Sequence, residues 1–284
     1  MRINEDEVVM ISVAGKISHP TMRTHYRVDG RGTPHIFPGV GGIVYNFTLG
    51  DPAFKPVGDH VEPDVSIGNE NREKGLALMT YSCVGNEAVV VSGDAKGRKG
   101  YVIGKHGGID HVIVHFDELD GLKIGDEILI KACGQGLKLL DHPDVKVYNV
   151  DPNLLKKIPI EEKGGKIFFP VTVRIPAELM GSGVGANNPA GGDYDIITND
   201  SKMIEKLGID KVRIGDFVAI ENHDNSYGLG GYRKGAISIG VVVHSNCVLT
   251  GHGPGVVVIM TSPDGKIEPI LDEKANLKNY IGRS

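Results

Sequence analysis

Short runs of valine and isoleucine, bounded by glycine, aspartate or asparagine, recur along the whole chain. β-Branched residues favour extended backbone, and such runs between turn-forming residues are typical of strands. The 40 glycines supply the many tight turns that a succession of short strands requires. The sequence therefore predicts a mainly β fold, arranged as β-barrel or sandwich lobes. The pattern is present in residues 8–15, 41–50, 88–94, 101–108, 111–116, 166–175, 236–244 and 255–262.

Signals for helices are few, and each predicts a short element. Asp151 is a typical helix cap and is followed by a proline, which predicts a helix over residues 152–157. Residues 199–208 begin with capping side chains and end with glycine, so a second helix is expected there. A third is expected over residues 271–281, near the end of the chain. The fold class is therefore mainly β with a few short helices.

One stretch of the sequence is nearly repeated. LKIGDEI (122–128) resembles VRIGDFV (212–218), and in each case a Gly-Asp pair is expected to form a turn that leads into a strand. Residues 141–165 are more polar and contain several prolines, which favours a boundary between lobes. We predict an N-terminal β-rich domain over residues 1–150 and a C-terminal β-rich domain over residues 151–284.

Composition limits the partners and the compartment. The net charge is -5 and no basic stripe is visible, so neither nucleic acid nor a membrane is an expected partner. The three cysteines are widely spaced and odd in number, which favours neither a disulfide framework nor a CxxC metal motif. The acidic N-terminus does not resemble a signal peptide, and no apolar run reaches the roughly 18 residues of a membrane span. We therefore expect a cytoplasmic protein.

Residues 181–200 contain a glycine pattern that resembles a cofactor motif. Gly181, Gly183 and Ala186 have the spacing of the fingerprint found in dinucleotide-binding folds. In those folds a helix begins within the motif, and its N-terminus meets the pyrophosphate. Here a proline and two glycines follow within residues 189–192, and they prevent such a helix. The sequence therefore predicts neither a nicotinamide nor a flavin cofactor.

The same loop leads to a pair of carboxylates. Asp193 and Asp195 are two positions apart in a segment that alternates like a strand, so both are expected on one face. Two carboxylates on one face bind a cation or share a proton. The alternative is that both residues, together with Asn187 and Asn188, are turn formers on a solvated rim.

Further polar residues follow on neighbouring connections. Glu221 and His223 share a face if their strand continues, His244 follows the next strand, and His252 lies in the glycine-rich segment GHGPG. Such residues suit an open metal site or a general acid–base pair. The alternative is that each histidine is a surface residue in its loop. We predict a divalent metal held by Asp193, Asp195, His223 and His252, and catalytic roles for Asp193, Asp195, Glu221, His223 and His252.

The N-terminal half has polar residues of its own. The segment GDPAFKPVGDHVEPD (50–64) contains His60 and Glu62, and its irregular, proline-rich sequence favours a lid or an oligomer arm. His106 is expected at a hairpin turn. Cys83 is expected to be a small core residue and not a nucleophile, because a nearby carboxylate would raise the pKa of its thiol.

Three segments resemble the signature of a bacterial and archaeal protein family of unknown function: GKHGG (104–108), ENHDNSYG (221–228) and GHGPG (251–255). The resemblance extends over almost the whole chain and implies an N-terminal and a C-terminal domain, with no activity attached. The chain also bears a fainter similarity to acetamidases and formamidases. Those enzymes are β-rich and glycine-rich and have Asp, His and Glu sites.

Two functional hypotheses follow from these observations. The first is a small-molecule hydrolase that acts on a C–N bond, in which a divalent cation activates a water molecule. The second is a non-catalytic ligand-binding protein or an oligomeric scaffold, whose glycine-rich loops bind a ligand or pack between subunits. A homo-oligomer and a small-molecule ligand are the partners we expect.

Overall fold

The computed structural model describes residues 1–22, 24–181, 188–226 and 231–282. Its first ten elements precede a change of sheet near residue 135, and nearly all of them are strands. In chain order they are β1 (Ile11–Ile17), β2 (Arg27–Val28), β3 (Pro34–His35), β4 (Ile43–Val44), β5 (Asp64–Gly68), α1 (Arg72–Tyr81), β6 (Glu87–Val90), β7 (Lys99–His106), β8 (His111–His115) and β9 (Glu127–Ala132).

The remaining elements build further sheets and add two short helices. They are β10 (Lys146–Val147), α2 (Pro152–Lys157), β11 (Glu161–Lys163), β12 (Lys166–Val171), β13 (Val173–Pro176), β14 (Tyr194–Ile197), α3 (Ser201–Leu207), β15 (Phe217–Asp224), β16 (Gly231–Val242), β17 (His252–Ser262) and β18 (Ile267–Leu271). The fold is mainly β, as the sequence predicts. In the described part of the chain, no helix has the length and apolar character needed to cross a membrane.

The N-terminal strands form a closed antiparallel barrel. The strands follow the order β1-β9-β6-β7-β8-β5, and β5 pairs back with β1 through Ile17 and Ile67. Closure leaves no free edge in this ring, and β4 adds to it outside β5. Gly15 is required where α1 lies against β1, because a Cβ there would be 2.8 Å from a methyl carbon of Leu78.

The C-terminal half is organised around a second sheet. Its strands follow the order β10-β17-β16-β15-β13, and β14 pairs with β17 away from this path. A smaller sheet, β11-β12-β18, and the hairpin β2-β3 complete the described strands. The larger apolar core includes Ile103 and Ile113 of the barrel together with many residues of the second sheet. The two halves therefore share buried surface, while the division at residues 150 and 151 stays a prediction.

Both copies of the repeated IGD segment form the expected turn. Gly125 and Gly215 have φ values of +90° and +84°, a conformation that favours glycine. In each turn the aspartate side chain, Asp126 or Asp216, accepts a backbone hydrogen bond from three residues earlier, at 2.8 and 2.9 Å. One turn leads into β9 of the barrel and the other into β15 of the second sheet.

Two of the three predicted helices are present. Asp151 caps α2, and Asp200 caps α3, which ends at Gly208 in the left-handed conformation. The prediction of a helix over residues 271–281 is wrong. That segment pairs with the IGD turn through backbone bonds from Phe217 to Ala275 and from Leu277 to Gly215, and only one 3-10 turn remains.

Other local predictions differ from the structure. In the segment 41–50 only Ile43–Val44 is a strand, and the segment 166–175 is divided at Thr172 into β12 and β13, which belong to different sheets. Helix α1 was not expected, because it contains a glycine and its apolar residues do not form a clear stripe. Asn71 caps this helix by accepting a hydrogen bond of 3.0 Å from the backbone N–H of Lys74.

Candidate metal centre

The barrel and the second sheet meet where several strands begin or end. His106 is the last residue of β7, Asp193 precedes β14, and His244 follows β16. The approach depends on glycine, since the Cα of Gly107 would be 2.6 Å from a Cβ added at Gly192. The backbone N–H of Gly107 donates a 2.8 Å hydrogen bond to Oδ1 of Asp193, which fixes this carboxylate.

His106, Asp193 and His244 form a first cluster of potential metal ligands. One ligand atom from each lies within 4.8 Å of the other two. Oδ2 of Asp193 and Nε2 of His244 are buried and 2.8 Å apart, an ion pair when the imidazole is protonated, yet neither atom makes a well-aligned hydrogen bond to a described residue. With a neutral imidazole both atoms would be left unsatisfied, and a cation bound by both would satisfy them.

The space at this cluster depends on Gly255. Residue 255 lies in β17 directly opposite Asp195 of β14. A Cβ added at this glycine would collide with Oδ2 of Asp193 and Nε2 of His244. The strand therefore approaches the ligand atoms as closely as backbone without a side chain permits.

His60, Cys247 and His252 form a second cluster beside the first. Their ligand atoms also lie within 4.8 Å of one another, and Nε2 of His60 is 3.2 Å from Nδ1 of His252. His60 precedes β5 and has a φ of +55°, which is uncommon for a residue with a side chain. Non-glycine residues in such conformations concentrate at functional sites.

Asp195 lies between the two clusters. Its Oδ2 is 2.8 Å from Nδ1 of His252 and 3.7 Å from Nε2 of His60, while its Oδ1 is 3.3 Å from Nε2 of His244. Burial would raise the pKa of this carboxyl, but the facing His244 and His60 lower it below its usual range. One carboxylate therefore presents one oxygen to each cluster.

Carboxylates around the centre attract positive charge. Burial alone would lower the pKa of His244, but the facing Asp193 and Asp195 raise it to about 10. Burial also opposes protonation of His60, whose pKa is nevertheless raised to about 12 by Asp195 and Asp59. A divalent cation would supply the same positive charge and leave the histidine nitrogens free to bind it.

Glu62 orients the histidine of the first cluster. This fully buried carboxylate lies 2.7 Å from Nδ1 of His106 and 2.9 Å from Nδ1 of His111. It also accepts hydrogen bonds from the backbone N–H of Gly41 at 2.7 Å and from Oγ of Ser66 at 2.5 Å. Because Nδ1 of His106 faces a carboxylate, Nε2 is the atom left for a metal.

Asp59 orients His60 of the second cluster, as Glu62 orients His106 of the first. Its Oδ1 accepts hydrogen bonds from Sγ of Cys247 at 2.6 Å and from Nδ1 of His60 at 3.0 Å. Its Oδ2 forms an ion pair with Arg27. A carboxylate behind a histidine ligand is the usual arrangement at metal sites, because it fixes the ring and the tautomer.

Some of the residues predicted from the sequence meet at this centre. Asp193, Asp195 and His252 are brought together, and the side chain of Asp195 is only 12% exposed. This burial does not fit the alternative in which Asp195 is a turn former on a solvated rim. The structure places Glu221 and His223 elsewhere. Glu221 forms a 3.2 Å ion pair with Arg174.

The strand that carries Glu221 and His223 does not continue regularly. Its register with β16 shifts between these residues, and Asn222 between them has a φ of +57°. The bulge turns His223 into the protein, where its Nδ1 lies 2.8 Å from Oγ of Ser238. The condition that the strand continues is therefore not met, and the expectation that Glu221 and His223 share a face is corrected.

Four residues of the centre were absent from the predicted set. They are His60, His106, His244 and Cys247. The first was assigned to a lid or oligomer arm and the second to a hairpin turn, yet both side chains point into the centre. The glycines of GKHGG (104–108) and GHGPG (251–255) are the sequence signal that these loops approach other backbone closely. Cys83 is fully buried, and burial raises the pKa of its thiol to about 12.

Comparisons with known proteins identify the family. The model described as "Domain of unknown function (DUF4438), N-terminal" matches residues 26–156, and the model described as "Domain of unknown function (DUF4438), C-terminal" matches residues 157–281. The chain belongs to the DUF4438 family. This agrees with the family of unknown function, with two domains, that the sequence resembles. Members of DUF4438 are therefore the proteins in which these ligand residues can next be compared.

A solved structure with the same fold is similar over its full length. The structure titled "Crystal structure of TM1086" has 56% sequence identity to this chain and a TM-score of 0.94, and the match covers 99% of each chain. The comparison with curated proteins gave no match. Neither the DUF4438 descriptions nor this title states an activity. The similarity to acetamidases and formamidases stays a prediction.

Proposed function

We propose that the chain is a metal-dependent hydrolase that binds a divalent cation through His106, Asp193 and His244. The observation that carries the proposal is the pair of buried atoms, Oδ2 of Asp193 and Nε2 of His244, which lie 2.8 Å apart and make no well-aligned hydrogen bond to a described residue. Nε2 of His106 completes a set of three donors. Two histidines and one carboxylate are a common ligand set for catalytic zinc.

The exposure of the centre supports catalysis over a structural role. Structural zinc sites are closed to solvent, whereas catalytic sites keep a position open to water or substrate. The centre is open at His252, whose side chain is 34% exposed, while His244 is fully buried. A small substrate would therefore approach past His252.

The cation would lower the pKa of a bound water to about 7 and polarise a carbonyl oxygen. Hydrolysis of the C–N bond of a small amide requires both effects. In this reaction the chain's own residues position the ligands: Gly107 holds Asp193, and Glu62 holds His106. Asp195 adds negative charge that favours the cation.

The compartment and the partners belong to the same proposal. All three cysteines are free and buried, which favours a reducing compartment, and we place the protein in the cytoplasm. The partner we propose is a small-molecule substrate. A homo-oligomer stays a prediction from the sequence.

The proposal is tested by elemental analysis and by activity. Protein purified without chelator should contain a divalent metal and release ammonia or amine from a panel of small amides. Asp193→Asn should lose both properties, whereas Asp264→Asn should keep both, because Asp264 lies on the surface in an ion pair with Arg233. Metal retention by Asp193→Asn would contradict the site. A metal-bound protein that hydrolyses no amide would contradict the reaction.

A further inference from the structure

We infer that the centre binds two cations, and that the second is held by His60, Cys247 and His252 with Asp195 as the bridging carboxylate. This inference rests on the proposed metal-dependent function and extends it. The two clusters have no ligand residue in common, and in each the three ligand atoms lie within 4.8 Å of one another. Among the described residues, Asp195 is the side chain that presents an oxygen to both clusters.

The distances in the second cluster suit a single ion. Donor atoms about 2.0–2.1 Å from a tetrahedral ion are separated from one another by about 3.3 Å. Nε2 of His60 and Nδ1 of His252 are 3.2 Å apart, and Oδ2 of Asp195 is 3.7 Å from the first of these nitrogens and 2.8 Å from the second. These three separations scatter about the expected value.

The first cluster uses the other oxygen of the same carboxylate. Oδ1 of Asp195 is 3.3 Å from Nε2 of His244, and Oδ2 of Asp193 is 2.8 Å from the same nitrogen. Both distances are close to the separation of donors around one ion. In two-metal hydrolases the ions lie about 3.5–4 Å apart. One carboxylate with an oxygen directed to each position is compatible with that spacing.

Charge at the centre also favours two ions. Two divalent cations carry four positive charges. Asp193, Asp195, Glu62 and the thiolate of Cys247 carry four negative charges, and Asp59 already has an arginine partner. Binding of the second ion replaces the S–H bond of Cys247 with a sulfur–metal bond and releases the proton to solvent. No oxidant or reductant is involved.

Cys247 makes the two positions chemically different. Thiolate is a soft ligand and selects zinc over harder ions, whereas the first position has only nitrogen and oxygen donors. Its Sγ lies 2.6 Å from Oδ1 of Asp59 and 2.9 Å from Oγ1 of Thr250, so the sulfur is held in place before an ion arrives. Ions held by these residues would supply Lewis-acid activation of a carbonyl group and of a water molecule.

Metal stoichiometry separates this inference from the proposed function. Wild-type protein saturated with zinc and freed of excess should contain two ions per chain, and Cys247→Ser should contain one. Cys133→Ser is the matched control and should contain two, because Cys133 is a buried free cysteine outside both clusters. One ion per chain in the wild type would overturn the inference and leave the proposed function standing. No ion would overturn both.

Cobalt substitution tests the sulfur ligand by a spectroscopic signature. The wild type and Cys133→Ser loaded with cobalt(II) should show thiolate-to-cobalt charge-transfer absorption in the near ultraviolet. Cys247→Ser should lose this band and keep the weaker bands of the remaining ion. Absence of the band from wild-type protein that holds two cobalt ions would exclude Cys247 as a ligand and overturn the assignment of the second position.

Discussion

Oδ2 of Asp193 and Nε2 of His244 lie 2.8 Å apart in the protein interior, close enough for an ion pair, yet neither makes a well-aligned hydrogen bond to a described residue. They come from two loops that are separate in the sequence and meet where the barrel joins the second sheet. A polar atom left unpaired in a protein interior costs about 1–3 kcal/mol. With a neutral imidazole at His244 both atoms bear this cost, and a cation bound by both would remove it.

Gly255→Ala should empty the first metal position. The added methyl group would collide with the ligand atoms of Asp193 and His244, so we expect metal affinity to fall at least about tenfold. Isothermal titration of metal-free protein with zinc measures the change. Gly30→Ala is the control, because nothing lies within 4 Å of a Cβ added there. Equal affinity in the two variants would show that the space beside Gly255 is not a metal position.

Glu62→Gln should weaken metal binding although Glu62 is not itself a metal ligand. An amide cannot accept from both His106 and His111 with the strength of a carboxylate, so His106 loses its fixed orientation and some basicity. Loss of such a partner lowers metal affinity by about 10–100-fold. Competition with a chelator indicator measures this, with the exposed Glu268→Gln as control. If the two variants bind zinc equally, Glu62 does not position His106 for a metal.

Removal of metal should lower the thermal stability. An ion at a hundredfold excess over its Kd stabilises the folded state by about 2.7 kcal/mol, which corresponds to a Tm increase of roughly 4–5 °C for a chain of this size. Calorimetry with and without chelator should show this difference in the wild type. Asp193→Asn should show a smaller difference, since it lacks a ligand of the first position. A wild-type Tm that does not respond to chelator would contradict metal binding by the folded protein.

His223 should make the protein less stable in weak acid. Burial lowers the pKa of this imidazole to about 4, against an ordinary value of 6.5, with Asp224 opposing the shift. Between pH 6.5 and 4 the unfolded chain gains a proton that the folded chain does not. The free energy of unfolding therefore decreases as the pH is lowered through this range, by up to about 3 kcal/mol in total. Above pH 6.5 the group contributes no pH dependence.

Urea unfolding at several pH values measures this effect. His223→Gln should remove the His223 share of the decrease between pH 6.5 and 4, whereas the exposed His25→Gln should retain it. The same pH dependence in His223→Gln and in the wild type would show that His223 is not the buried neutral group described above.

The fold class and several local details could be predicted from the sequence because they depend on neighbouring residues. Val/Ile runs and glycines give the strands and turns, and the IGD turns and the caps of α2 and α3 follow from residues within a few positions of one another. The helix expected over 271–281 failed because long-range backbone pairing to Gly215 and Phe217 replaces it.

The candidate site could be predicted only in part for the same reason. Asp193 and Asp195 have a visible alternation, and His252 lies in a conspicuous glycine segment. His60, His106 and His244 have no common spacing, because only closure of the barrel and its contact with β17 bring them together. The alternation of residues 221 and 223 also gave a wrong prediction, because a backbone bulge at Asn222 changes the direction of the His223 side chain.

An anomalous difference map from crystals grown with zinc tests the central claim most directly. The account predicts a strong peak about 2.0–2.2 Å from Nε2 of His106, Oδ2 of Asp193 and Nε2 of His244, the distances of zinc to nitrogen and oxygen ligands. A map without a peak at these three atoms, from crystals equilibrated with zinc, would contradict the claim that this cluster is a metal centre.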